Sequence, residues 1–184
     1  MIQRILEEGC YDFAYRRMPE MLNERGWSCA EAVELSTWRD FLPSAIEQIP
    51  NTALVPIPGY SVKQGLKDAV NVRNAAVHRH LCHNFEICRM ARQAENLMTI
   101  FRDDSRQNKF YRLRTELSNW DRDSNVDMQE ARRHLEQALL EINERPVDDM
   151  DWTPNAVSLQ EIIPDVGAVQ DTEDYGGGEA MELD

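Results

Sequence analysis

The feature that most constrains how this 184-residue chain folds is a long stripe of apolar residues at helical spacing. From Val62 the positions step by fours and once by seven as far as Phe85, so on a helix they would share one face. The stripe comprises Val62, Leu66, Val70, Val77, Leu81 and Phe85, and is continued by Cys88, Ala91, Leu97, Met98 and Phe101. It predicts one long helix, or two nearly continuous helices, ending near Asp103 and Asp104.

Shorter apolar stripes at the same spacing occur on both sides of this segment, and turn signals are sparse. The chain has only eight glycines and eight prolines, and three of those glycines are consecutive near its end. We therefore expect an all-α protein, a helical bundle of five to seven helices over residues 1–146.

Several residues predict where these helices begin and end. Gly9 and Pro19 suggest breaks in the first helical segment. Ser28, with Glu31 three residues later, has the pattern of a capping box, and Ser61 is a second N-cap candidate. Residues 50–59 are apolar and proline-rich, which predicts an extended connection lying over the core.

The charge of the chain is concentrated at its C-terminal end. Of its 33 acidic residues, eleven fall within residues 147–184, which contain no lysine or arginine. Residues 1–146 keep 22 acidic and 20 basic residues and are nearly neutral. We expect residues 147–184 to form a disordered acidic tail.

Cysteine spacing and hydropathy bear on location. The four cysteines show no C-x-x-C pair and no disulfide framework, which is typical of reduced thiols in a cytoplasmic or nuclear protein. No apolar run approaches about 20 residues, so we expect no membrane-spanning helix. The first residues lack an apolar segment of secretory length.

Three polar residues within residues 73–78 interrupt the apolar stripe. Asn74 and His78 are four residues apart, so on a helix they share a face, and Arg73 precedes them by one position. A histidine can transfer protons near neutral pH, and an arginine can hold a phosphate through two N–H groups. Such a set could cleave RNA without a metal or cofactor if the 2′-hydroxyl of the RNA were the nucleophile.

The sequence RNAAVH of residues 73–78 resembles the arginine-to-histidine motif of HEPN domains, in which four to six residues separate the two. The resemblance implies an all-helical domain, and many members are metal-independent endoribonucleases that act as homodimers. Others bind nucleotides or protein partners. It implies catalytic roles for His78 as general acid or base, Arg73 as phosphate ligand and Asn74 as orienting group. The segment is also similar to one in uncharacterised fungal helical proteins, which implies no activity.

The residues around the motif are locally basic. Between Val72 and Arg114 there are nine lysines and arginines and four acidic residues. This excess suggests a surface for RNA or a nucleotide, with Arg79, Arg89 and Arg92 as phosphate-binding residues.

Two other interpretations of this segment stay open. Arg73 and His78 can be a structural polar pair in a helical protein-interaction module, with a carboxylate such as Asp68, Glu86 or Glu95 as partner. In that case Arg73 should be buried and paired, whereas catalysis requires an open cleft. Metal binding is not expected, because the metal-capable side chains scatter around a helix and zinc sites usually join two separated ligand pairs. Those side chains are His78, His80, Cys82, His83 and Cys88.

Overall fold

A computed structural model describes residues 1–144 of the chain. This part contains seven α-helices, two single-turn 3-10 helices and no strand. The helices are α1 (Ile2–Arg17), α2 (Pro19–Glu24), α3 (Leu35–Ile46), α4 (Val62–Val77), α5 (Asn84–Phe101), α6 (Asp104–Asp123) and α7 (Met128–Asn143). The predicted all-α bundle is confirmed. The predicted disordered tail, and the domain boundary at residue 146, lie outside the described residues.

One hydrophobic core joins the helices, and α5 lies at its centre, packed against α1, α4 and α6. Phe13 of α1 stacks on Phe101 of α5 with ring centroids 4.3 Å apart. The predicted break at Gly9 is wrong, because α1 runs through this residue without interruption. A Cβ atom at Gly9 would overlap the Met98 side chain, so the glycine allows α1 to approach α5 closely.

The two predicted N-caps have different outcomes. Ser61 is confirmed, because its hydroxyl accepts a hydrogen bond from the Gln64 N–H at 3.2 Å where α4 begins. The capping box at Ser28 is wrong, since α3 begins only at Leu35. The chain before α3 is instead a 3-10 turn followed by extended backbone, which buries Val33 in the core.

Residues 50–59 form the predicted connection over the core, but Asn51–Ala53 is a 3-10 turn where extended backbone was predicted. The Val55 N–H donates to the Ile100 carbonyl at 3.0 Å, which attaches the connection to α5. Leu54 and Ile57 pack, partly buried, against the core. The connection leads from α3 to α4, and these two helices pack against each other.

The long apolar stripe is divided between two helices by a turn at Arg79. The His80 N–H bonds to the Ala75 carbonyl at 3.0 Å and the Arg79 N–H to the Ala76 carbonyl at 3.2 Å, the pattern of a Schellman motif. Arg79 is left-handed, with φ of 50°. The chain therefore leaves the helix at His78. Of the two alternatives, one long helix is wrong, and the stripe forms two helices separated by residues 78–83.

This turn exposes apolar residues that the stripe placed in the core. Val77 is 52% exposed, Phe85 is 76% exposed and Leu81 is fully exposed. The reason is geometric, because a left-handed residue redirects the chain and the four-residue steps no longer mark one face.

A charged cluster fastens the start of α6 to α1. The guanidinium of Arg106 forms ion pairs with Asp12 of α1 and with Asp103, the N-cap residue of α6. Asp103 is only 4% exposed and also accepts the Arg106 N–H at 3.0 Å. Burial raises the pKa of the Asp12 carboxyl, and the charge of Arg106 opposes that shift.

Within residues 1–144, no helix combines the length and the hydropathy needed to cross a membrane.

Candidate functional site

The Arg73–His78 motif occupies the C-terminal end of α4 and the residue that caps it. Arg73 and Asn74 lie in the last turns of the helix, while His78 is already outside it. Because α4 ends here, the motif borders the turn that leads to α5. Its residues therefore lie at a helix end, whereas the sequence pattern predicted that they lie inside a helix.

Arg73 forms an ion pair that the sequence did not reveal. Its Nη2 donates to Glu34 Oε2 at 2.8 Å, and Glu34 is the residue immediately before α3. Its Nη1 donates to Asn74 Oδ1 at 3.4 Å, a longer and weaker bond. The guanidinium thus bridges α4 and the start of α3. Glu34 is 39 residues away in sequence, so no local spacing indicated it.

The three carboxylates suggested as partners of Arg73 have other roles. Asp68 is buried and accepts hydrogen bonds from Tyr60 Oη and Gln64 Nε2, each at 2.9 Å. Glu86 accepts the His83 N–H at 2.9 Å and so caps the start of α5. Glu95 is paired with Arg114 of α6. Those three suggested partners are therefore wrong, although the expectation of a carboxylate partner is met by Glu34.

Both side chains of the Arg73–Glu34 pair are accessible to solvent. The Arg73 side chain is 25% exposed and the Glu34 side chain is 59% exposed. The structural interpretation required a buried arginine with a carboxylate partner, and only the pairing is met. An exposed pair of this kind contributes about 0.2–1 kcal/mol to stability.

The His78 side chain is exposed and stacks on the ring of His80 with centroids 5.8 Å apart. Its backbone N–H bonds to the Asn74 carbonyl at 3.0 Å. Among residues 1–144 the side chains of Asn74 and His78 form no hydrogen bond with each other, and Asn74 contacts Arg73 instead. The catalytic roles inferred for Arg73, Asn74 and His78 stay predictions.

Four of the nine basic residues between Val72 and Arg114 are paired with carboxylates, Arg73 among them. Arg106, Arg112 and Arg114 are engaged by carboxylates of other helices or of their own cap. The three arginines predicted to bind phosphate are exposed, and none forms an ion pair with another described residue. These are Arg79, Arg89 and Arg92.

The exposed arginines lie next to the exposed apolar residues. Phe85, Arg89 and Arg92 are spaced by four and three residues on α5, so they share one face of that helix. Leu81 and Arg79 belong to the turn that precedes it. We define the α4–α5 turn surface as Val77, Arg79, Leu81, Phe85, Arg89 and Arg92.

The thiols near the motif are less buried than a core position implies. Cys82 and Cys88 are both half-buried, and Cys88 packs against the edge of the core. Burial raises the pKa of the Cys88 thiol. Within the described chain, no three His, Cys, Asp or Glu side chains are grouped so that they could hold a metal ion.

A separate cavity of about 600 Å³ lies between the start of α1 and the end of α7. It is lined by Met1, Glu136, Leu139, Leu140 and Asn143. None of the residues in the motif or on the α4–α5 turn surface contributes to this lining. The cavity therefore adds nothing to the chemistry inferred for the motif.

Comparison of the chain with protein-family models, curated proteins and solved structures finds no match. The resemblance to HEPN domains consequently rests on the motif of residues 73–78 and on the helical architecture.

Proposed function

We propose that this protein is a non-enzymatic helical interaction module that binds a protein partner through the α4–α5 turn surface. The observation that carries the proposal is the exposure of Leu81 and Phe85, which are 101% and 76% accessible. Large apolar side chains that are exposed close together are typical of protein interaction sites. Burial of a leucine or phenylalanine contributes about 1.5–3 kcal/mol, which a partner can use.

The turn surface is held in place from both sides. The Schellman motif fixes the end of α4, and the Glu86 carboxylate caps the His83 N–H at the start of α5. The Asn84 Nδ2 also donates to the Leu117 carbonyl of α6 at 2.9 Å. A surface whose flanking helix ends are already ordered loses less conformational entropy when a partner binds.

In this proposal the motif has a structural role. Arg73 ties the end of α4 to the start of α3 through Glu34, and Asn74 supports the same guanidinium. The motif therefore orients the helix end from which the turn surface projects. This interpretation needs no chemistry at His78.

We expect the partner to be lost when the turn surface is charged. Full-length wild-type protein and the double variant Leu81→Asp/Phe85→Asp would be used to capture partners, with quantification by mass spectrometry. A carboxylate on each anchor should reduce recovery of the specific partner at least about 10-fold, because each anchor residue typically contributes more than 1 kcal/mol to binding.

The matched control is Val126→Asp, since Val126 is 90% exposed in the connection between α6 and α7. This variant should retain the partner. Two results would contradict the proposal: equal recovery with the turn double variant, or no partner specific to the wild-type protein. Thermal unfolding of all three proteins checks that the substitutions leave the fold intact.

A second candidate function is RNA binding with metal-independent cleavage. It is supported by exposed side chains that could contact RNA. His78, Arg79, Arg89 and Arg92 are all exposed at or near the turn. Phosphate could compete with Glu34 for Arg73, because that pair is open to solvent. A homodimer joined at the turn, as the HEPN resemblance implies, would bring the arginines of two copies together, which is electrostatically unfavourable.

A further inference from the structure

The α4–α5 turn surface combines apolar anchors with unbalanced positive charge. Between Val77 and Arg92 there are three arginines and one acidic residue, Glu86, so this segment has a net charge of +2. Arg79, Arg89 and Arg92 are exposed and form no ion pair within residues 1–144. The surface therefore carries three positive charges beside Leu81 and Phe85.

We infer that the partner of this surface is an acidic amphipathic helix of another protein. The inference rests on the proposed function and names the chemistry of the partner. Its apolar face would cover Leu81 and Phe85, and its carboxylates would pair with Arg89 and Arg92. Charge complementarity of this kind raises the association rate and selects among partners.

The dimensions of the surface suit a helix. Phe85 and Arg92 are seven residues apart on α5, which corresponds to two turns or about 10 Å along the helix axis. A helical partner presents anchors at positions i, i+3 or i+4, and i+7, which cover the same length. A helix of about 15 residues therefore spans the anchors and both arginines.

Other partners would leave part of the surface unused. RNA would pair its phosphates with the arginines, but it would gain little from the aliphatic side chain of Leu81. A second copy of the turn would cover the anchors, but it would repeat the positive charge. An acidic amphipathic helix satisfies both components at once.

The test uses two synthetic peptides of about 15 residues. Both carry leucines at alternating three- and four-residue spacing, with glutamates at the other positions in the first peptide and lysines in the second. Binding to the full-length protein is measured by fluorescence anisotropy at low and at physiological salt. We expect the glutamate peptide to bind at least about 10-fold more tightly than the lysine peptide, a difference of about 1.4 kcal/mol.

Protein variants separate the two components of the surface. Leu81→Asp should weaken binding of the glutamate peptide at both salt concentrations. Arg89→Glu/Arg92→Glu should weaken binding of the glutamate peptide and strengthen binding of the lysine peptide. The control is Arg132→Glu, which changes a 73% exposed arginine on α7 and should leave both affinities unchanged.

Equal affinity for the two peptides, or no binding of the glutamate peptide, would overturn the inference. If the capture experiment still shows partner loss with Leu81→Asp/Phe85→Asp, the interaction module stands and only the chemistry of its partner is wrong. An RNA oligonucleotide is assayed in parallel. RNA binding that depends on Arg89 and Arg92 but not on Leu81, without peptide binding, would assign the surface to nucleic acid.

Discussion

Replacement of Trp38 with alanine is expected to destabilise the protein by about 4 kcal/mol, because it would remove a large side chain from the middle of the core. Trp38 is completely buried on α3, and its ring meets Trp27 edge-to-face with centroids 5.4 Å apart. The free energy of unfolding is obtained from urea denaturation by linear extrapolation. The comparison residue is Phe41 on the same helix, which is 37% exposed. Phe41→Ala should cost clearly less.

The indole nitrogen of Trp38 supplies a second comparison. Its N–H is buried and has no hydrogen-bond partner among the described residues. Trp38→Phe removes this unpaired donor while keeping much of the ring, so we expect a loss of only about 1–2 kcal/mol. A loss in Trp38→Phe as large as that in Trp38→Ala would contradict this interpretation and indicate that the N–H is bonded in the folded protein.

Arg106→Met should lower the free energy of unfolding by about 3 kcal/mol. Arg106 is 16% exposed and is paired with Asp12 and with Asp103, whose side chain is 4% exposed. Removing the arginine leaves a buried carboxylate without its counter-charge, which is strongly destabilising. Methionine keeps much of the length of the side chain, so the loss of packing is limited.

The matched control for this charge effect is Arg132→Met on α7. Arg132 pairs with Glu136, but the two side chains are 73% and 60% exposed. An exposed pair contributes at most about 1 kcal/mol, so this variant should unfold near the wild-type urea concentration. Similar losses for the two variants would contradict the distinction between the buried cluster and the surface pair.

Much of the fold could be predicted from the sequence, because the stripes of buried residues follow helical spacing. Leu66, Leu97 and Phe101 are core residues on the helices where the pattern placed them. The scarcity of glycine and proline correctly indicated helices. Ser61 was identifiable as a cap because a serine before an apolar stripe has one favoured local role.

The helix end at Arg79 could not be predicted in the same way, whereas the end at Arg102 agrees with the end predicted near residues 103 and 104. Both residues are left-handed, with φ of 50° and 56°, at positions where glycine is usual. A non-glycine residue there costs about 1 kcal/mol, and tertiary packing must compensate for it. Since residue 79 is not a glycine, the stripe continued past it without a visible stop, and Leu81 and Phe85 were placed on the same apolar face as the core residues.

The composition of the candidate site was only partly visible in the sequence. Arg73 and His78 were identifiable by their spacing, and a carboxylate partner for Arg73 was expected. Glu34 could not be found, because the pairing depends on how α3 packs against α4 across 39 residues of sequence. The exposure of the turn also depends on tertiary structure, so the exposed α4–α5 turn surface was missed.

We propose that Arg73, Asn74 and His78 have a structural role and that they do not form a ribonuclease site. The most direct measurement is RNA cleavage by the full-length wild-type protein and by His78→Ala, in a metal chelator and over a range of single-stranded and structured RNAs. His78 is exposed, so its replacement should leave the fold unchanged. We expect no cleavage by either protein. Cleavage by the wild type that is lost in His78→Ala would contradict the claim and establish the motif as a catalytic site.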